Sequence, residues 1–150
     1  MHLARHTIWI ARPRKAVFDF FTDFSQAPRW RQYVVSMAPV GAHAVGVGSR
    51  LRTEVDLMGV RQAFEMEVLT FEPPALWRHR TFETDFNGYI EYRFDAEGDG
   101  TRVTMTIAVK PAGLYGWLAL PMMAISRNKP YLEQLPQLKR VLEEDAAPVR

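Results

Sequence analysis

His79 is the residue whose type and setting best suit chemistry. Side chains alternate between the two sides of a strand, so in the segment from Leu76 to Phe82 it shares a face with Trp77 and Thr81, opposite Arg78 and Arg80. A histidine on an apolar inner face can orient a carbonyl group or act as a general base, because its pKa lies where small changes of environment matter. An ordinary core histidine, hydrogen-bonded to a backbone or tyrosine partner, fits the same pattern equally well. Alternation also turns Tyr92, Thr53 and Gln62 inward, where each could bond to a ligand or to one another. His79 with Tyr92 assisting is the candidate acid/base pair.

Other spacings carry less. His2 and His6 stand four apart, which in a strand separates them by about 13 Å, too far to share an ion. No third ligand suggests itself, and neither a metal nor a cofactor is expected. Asp19 and Asp23, four apart on the predicted first helix, form a carboxylate pair by spacing, but such residues more often face solvent or cap a following turn. There is no cysteine, which removes disulfides and thiolate nucleophiles. No nucleophile elbow is present, and the serines lie at turns or helix positions without an evident base.

The elements that must position these groups can be read from periodicity. His6 to Ile10 reads as a strand ending at Pro13, and Ala16, Val17, Phe20, Phe21 and Phe24 then mark one face of a helix. Asp23 to Pro28 breaks that helix, and Ser25 or Asp23 could cap a second short one reaching Trp30. Six further strands follow from 34–40, 50–58, 60–71, 76–82, 86–94 and 102–109, separated by glycine and proline turns. Their apolar face holds Leu51, Thr53, Val55 and Leu57, then Gln62, Phe64, Met66 and Val68, then Ile90, Tyr92 and Phe94, and finally Val103, Met105 and Ile107. The charged residues between them read as a solvated sheet exterior.

Such a sheet needs a cover. Leu114, Trp117, Leu118, Met122 and Ile125 recur at spacings of three and four, and Leu132, Leu135, Leu138, Val141 and Leu142 resume the period. One long helix bent by Pro121, Pro130 and Pro136 is expected, its first half movable and its second half a fixed anchor.

The chain has 150 residues, 47% of them apolar and 24% charged, as in a single ordinary domain. A net charge of only +2 gives no steering towards nucleic acid. No signal-peptide pattern is evident, and the run 114–125 is too short to span a bilayer, so a cytoplasmic protein is expected. Transient contact of that run with a membrane surface is compatible with Tyr115 and Trp117 followed by Arg127 and Lys129.

Several segments, in order, resemble one family. They are Ile10-Ala11-Arg12-Pro13 with Val17-Phe18, Asp23 to Trp30, Gly48-Ser49, Phe71-Glu72-Pro73-Pro74, Gly100-Thr101-Arg102-Val103-Thr104 and Leu135 to Glu143. Together they resemble the polyketide cyclase/dehydrase and START-like superfamily over nearly the whole chain. The resemblance implies an α+β helix-grip domain over 1–150: a curved seven-stranded antiparallel sheet around a long C-terminal helix, with two short helices after the first strand. It implies a cavity between sheet and helix, for which Phe64, Met66, Trp77, Tyr92, Met105, Trp117 and Met122 supply apolar walls. Trp30 and Tyr33 would stand near its entrance, as part of a lid or pinning the short helix to the core.

Two functions are therefore expected. The favoured one is binding of a small hydrophobic or amphipathic molecule, such as a lipid, quinone, polyketide or aromatic compound, by a monomer or homodimer. The alternative is a cyclase, dehydratase or isomerase acting on such a ligand through His79. Fold alone does not choose between them.

Overall fold

In the computed structural model, residues 2–31, 33–81, 86–111, 114, 118 and 134–146 are described. Seven strands form one antiparallel sheet: β1 (His2–Ile10), β2 (Val34–Pro39), β3 (Arg50–Leu57), β4 (Val60–Glu72), β5 (Leu76–Thr81), β6 (Phe86–Glu97) and β7 (Gly100–Pro111). Their spatial order is β1-β7-β6-β5-β4-β3-β2. From β2 to β7 each strand pairs with its successor, as the short connectors require.

β1 and β2 lie at opposite edges of that sheet, so the chain between them has to cross it. Helix α1 (Arg14–Phe21), a single 3₁₀ turn (Phe24–Gln26) and the four-residue helix α2 (Ala27–Trp30) make the crossing. Pro13 immediately precedes α1, and its carbonyl accepts the first helical bond from Val17 at 3.0 Å. The buried face of α1 is Val17, Phe18 and Phe21: Phe18 joins the expected set, while Ala16 and Phe20 stay half-buried, Phe20 under the Arg29 guanidinium. Neither Asp23 nor Ser25 caps through its side chain; the Ser25 hydroxyl bonds the Asp23 carboxylate at 2.6 Å, and Asp19 pairs with Lys15.

β1 starts at His2, four residues before the expected His6, through its pairing with β7, and two hairpins account for differences at other strand ends. β6 and β7 run three residues and two residues further, to Glu97 and from Gly100, because the register carries on to a Glu97–Gly100 pair around the tight Gly98-Asp99 turn. Between β3 and β4, Met58 and Gly59 both have positive φ, 54° and 88°, the paired left-handed geometry of a type I′ turn. The Asp56 carboxylate accepts from the Gly59 N–H at 2.8 Å and closes this loop.

The outer face carries cross-strand ion pairs, including Arg80–Glu67 at 2.7 Å, Arg50–Glu65 at 3.3 Å and a close Arg78–Glu91 pair. Arg80–Glu67 and Arg78–Glu91 are direct register partners. Exposed pairs of this kind each contribute below about 1 kcal/mol, so they set which side faces water more than they hold the sheet together.

Of the long C-terminal block, the part from Gln134 to Ala146 is described as a helix, α3, with Leu135, Leu138, Val141 and Leu142 buried on one stripe. Its attachment is polar as well as apolar. Lys139 donates to the Trp9 carbonyl at 2.8 Å, the Ala11 N–H donates to Glu143 at 3.0 Å, Arg12 donates to the Leu142 carbonyl at 3.1 Å, and Arg29 pairs with Asp145 at 2.8 Å. These bonds fix α3 to the end of β1 and to α2. Leu114 and Leu118 are helical and exposed. The remainder of 114–133, with Trp117, Met122 and the bends expected at Pro121 and Pro130, lies outside the described residues; Pro136 sits early in α3. No helix among the described residues is long and apolar enough to cross a membrane.

Candidate functional site

The crossing segment lays four large side chains, Phe18, Phe21, Phe24 and Trp30, on the middle of the sheet. Phe21 is at the centre: its ring centroid lies 4.6 Å from Tyr92, 5.2 Å from Phe94, 5.4 Å from Trp30 and 5.7 Å from Trp77. Phe18 and Phe24 extend the cluster onto Phe94 and Trp77. Polar groups occur inside this aromatic surround at specific points.

Trp77 and His79, two apart on β5, both face inward, and the Trp77 indole N–H donates to His79 Nδ1 at 2.9 Å. An indole nitrogen can only donate, so Nδ1 accepts and a neutral imidazole carries its proton on Nε2. The ring stacks on Tyr92, at 6.2 Å between centroids and 20° between planes. Only 2% of His79 is exposed. Burial pushes its pKa from 6.5 down to about 3, with the positive charge of Arg31 adding to the effect. A neutral imidazole of this kind is a fixed hydrogen-bond donor at Nε2, and a poor base near neutral pH.

Tyr92 is fully buried, and its hydroxyl donates to Gln134 Oε1 of α3 at 2.7 Å. This bond ties the sheet to the C-terminal helix across the interior. Gln134 was not expected to take part. The signal was available, since it stands four residues before Leu138 on the buried stripe, a polar residue where the helix needs an apolar one.

Arg31 is the second residue that pattern reading missed, and no periodicity marks it. It follows α2 directly and is 4% exposed. Its guanidinium carbon lies 4.3 Å from the Trp30 ring, 5.1 Å from Phe21 and 5.8 Å from Tyr92, a set of cation–π contacts inside the core. The Trp30 indole N–H and the Thr53 hydroxyl are buried with no hydrogen-bond partner among the described residues. Buried donors without partners are uncommon in folded proteins, which makes both positions conspicuous.

The remaining expected residues sort as follows. Met66 and Met105 are buried on the inner face, and Phe64 is half-buried against the same cluster. Gln62 is exposed instead of inward-bonded, and Leu57 is 39% exposed. The β3–β4 hairpin reaches past the crossing segment, so side chains there keep the inner direction but have no cover from the described elements. Trp30 is 2% exposed and packs on Phe21, the pinning role, whereas Tyr33 is exposed and adopts φ 67°. A cleft of about 270 Å³ opens between α2 and α3, lined by Pro28, Arg29, Trp30, Arg31, Tyr33, Val34 and Gln137. Among the described residues no group of three His, Asp or Glu side chains gathers as a metal site would.

A model of proteins described as polyketide cyclase/dehydrase and lipid transport matches residues 1–143. The chain belongs to that family. Solved structures agree on the fold. A START superfamily protein from Mycobacterium smegmatis superposes with a TM-score of 0.75 at 17% identity, over 96% of this chain and 99% of that one. A protein from Thermus thermophilus, TTHA0849, gives 0.73 at 20%, over 96% and 99%. The Zhui aromatase/cyclase from Streptomyces sp. R1128 gives 0.72 at 16%, over 98% and 96%. No curated protein matches in sequence. At these identities the neighbours of this family member establish the α+β helix-grip architecture and nothing about its ligand.

Proposed function

We propose that the protein binds a small hydrophobic or amphipathic molecule against the inner face of the sheet, beneath the crossing segment and the C-terminal helix. The observation that carries this reading is the combination of a large aromatic inner surface with buried, unpartnered donors at Trp30 and Thr53. A core serving only stability gains nothing from stranded donors, since each costs about 1–3 kcal/mol when left unmet. A ligand oxygen would meet them. Membership of a family described by both cyclisation and lipid transport is in keeping with such a ligand.

In this reading His79 orients and does not abstract protons. Its Nδ1 is engaged by Trp77, its pKa lies far below neutral, and its Nε2–H suits donation to a ligand carbonyl. Tyr92, engaged with Gln134, holds the stack in place. A neutral histidine donor could also polarise a carbonyl for a cyclase or dehydratase step, which keeps an enzymatic role on the same residue.

Native mass spectrometry of the purified protein, with organic extraction and a panel of apolar fluorophores, tests binding. A stoichiometric adduct, or uptake of at least one fluorophore with a Kd of about 10 µM or tighter, is expected for a cavity-bound ligand. A protein that arrives empty and takes up nothing from the panel contradicts the proposal.

A further inference from the structure

We propose that one end of the sheet docks on the surface of a lipid bilayer, through the tip of the β3–β4 hairpin and two helical residues that follow β7. Leu57, Met58 and Val60 form the tip, with Leu57 and Val60 as its last register pair, and all three are exposed, Met58 completely. Leu114 and Leu118 are exposed as well, both helical and at the spacing of four that puts side chains on one face. They belong to the same end of the molecule. β7 ends at Pro111 opposite Phe86, where β6 begins, and the successive antiparallel pairings place that end on the side where β3 passes into β4.

Met58 stands there against local preference. At φ 54° its side chain crowds its own backbone, and the type I′ position it fills favours Asn, Asp or Gly. Complete exposure means that no burial within the chain offsets that cost. Size and charge then select the occupant. Five side chains on two segments fall far short of the roughly 20–30 residues a side that a protein partner or a second copy of this chain would need. A bilayer needs no matching relief, because apolar side chains enter the boundary between headgroups and acyl chains to a depth of about 5–10 Å, two or three strand residues. Behind the tip, Asp56 and Arg61 are register partners of opposite charge, and the Asp56 carboxylate is turned to the Gly59 N–H. With no basic cluster at the tip, acyl contact and not anionic headgroups holds it. The same hairpin carries the part of the inner face that the crossing segment leaves uncovered, where Gln62 is exposed, so docking sets the open side of the sheet beside the lipid.

Flotation of the full chain with phosphatidylcholine vesicles tests this, with half the protein expected to float at about 0.1–1 mM lipid. Replacing Met58→Asn together with Val60→Thr should raise the lipid needed about tenfold, and Leu114→Ser with Leu118→Ser at least about threefold. Asn is at ease at positive φ, so the first pair keeps the hairpin, and an unchanged urea midpoint verifies it. Val47→Thr is the control: Val47 is exposed in the β2–β3 loop at the opposite end of the sheet, and its loss should leave binding within about twofold. Absence of flotation overturns the proposal, as does flotation that neither pair of substitutions weakens. Binding only to vesicles containing phosphatidylserine, released by about 0.5 M salt, also overturns it, because a charged surface elsewhere would then be at work. So does a dimer in sedimentation equilibrium that Met58→Asn dissociates, since a second copy would then cover the tip. Vesicles read the rim and the fluorophore panel reads the interior, so failure of one leaves the other standing.

Discussion

Phe21→Ala is expected to remove about 3–5 kcal/mol of folding stability, the largest loss foreseen for a single substitution in this chain. Phe21 is 1% exposed and touches aromatic rings from α1, α2, β5 and β6 at once. Truncation therefore opens a cavity whose walls belong to four different elements, and such walls cannot collapse together. Each tilted or edge-on pair adds about 0.5–1.5 kcal/mol beyond buried area, and several are lost at once. Native domains are stable by about 5–15 kcal/mol in total, so the variant should lie near the edge of folding at 37 °C. Urea unfolding checks this: the midpoint should fall steeply with the slope unchanged. Phe20→Ala, one residue away and half-buried under Arg29, is the control and should cost about 1 kcal/mol. Equal losses in the two variants would show that the ring cluster is not the centre of the fold.

The second large effect is a dependence of stability on acid that belongs to His79. In the unfolded chain this side chain takes up a proton near its ordinary value of 6.5; in the folded protein it does so only at about 3. Between those values the unfolded state binds more protons, so lowering the pH through this window favours unfolding. The stability that comes from keeping His79 neutral is complete above about pH 6.5 and is withdrawn progressively towards about pH 3, by ~4 kcal/mol in all. His79→Gln retains an acceptor for the Trp77 indole but cannot titrate. Unfolding free energies of the two proteins, followed from about pH 7 to about pH 4, should converge or cross, the native protein losing roughly 1.4 kcal/mol more per unit below about pH 6. Parallel curves would mean that His79 reaches water and is not held by Trp77 and Tyr92. The carboxylates of Glu97, Glu143 and Asp145 are lowered by their arginine, lysine and backbone partners, but they lie at the surface and are common to both proteins.

Much of this architecture is legible in the residues because a strand's two-residue period and a helix's stripe are local properties. All seven strands, the inward setting of Trp77, His79, Thr53, Tyr92 and Met105, and the buried stripe Leu135 to Leu142 follow from such local rules. Gln62 shows the limit. Alternation tells which side a side chain leaves the strand, but whether that side is covered depends on how far a distant helix reaches. Arg31 shows a second limit. A lone arginine in a polar stretch next to Trp30 has no period to belong to, and only the β1-to-β2 crossing puts it over Phe21 and Tyr92. Gln134 lies between these cases, visible as a polar residue on an apolar stripe, while its partner Tyr92 stands 42 residues away in sequence.

The central claim is that the aromatic inner face of the sheet is where a ligand sits. Indole N–H resonances report on it directly, because Trp30 and Trp77 lie inside while Trp9 lies on the surface with its N–H on the Glu97 carbonyl at 3.1 Å. With the tightest-bound apolar probe from the uptake panel added to saturation, the Trp30 and Trp77 resonances should shift and the Trp9 resonance should stay in place. Saturated binding that moves Trp9, or that leaves both Trp30 and Trp77 unmoved, would contradict the account.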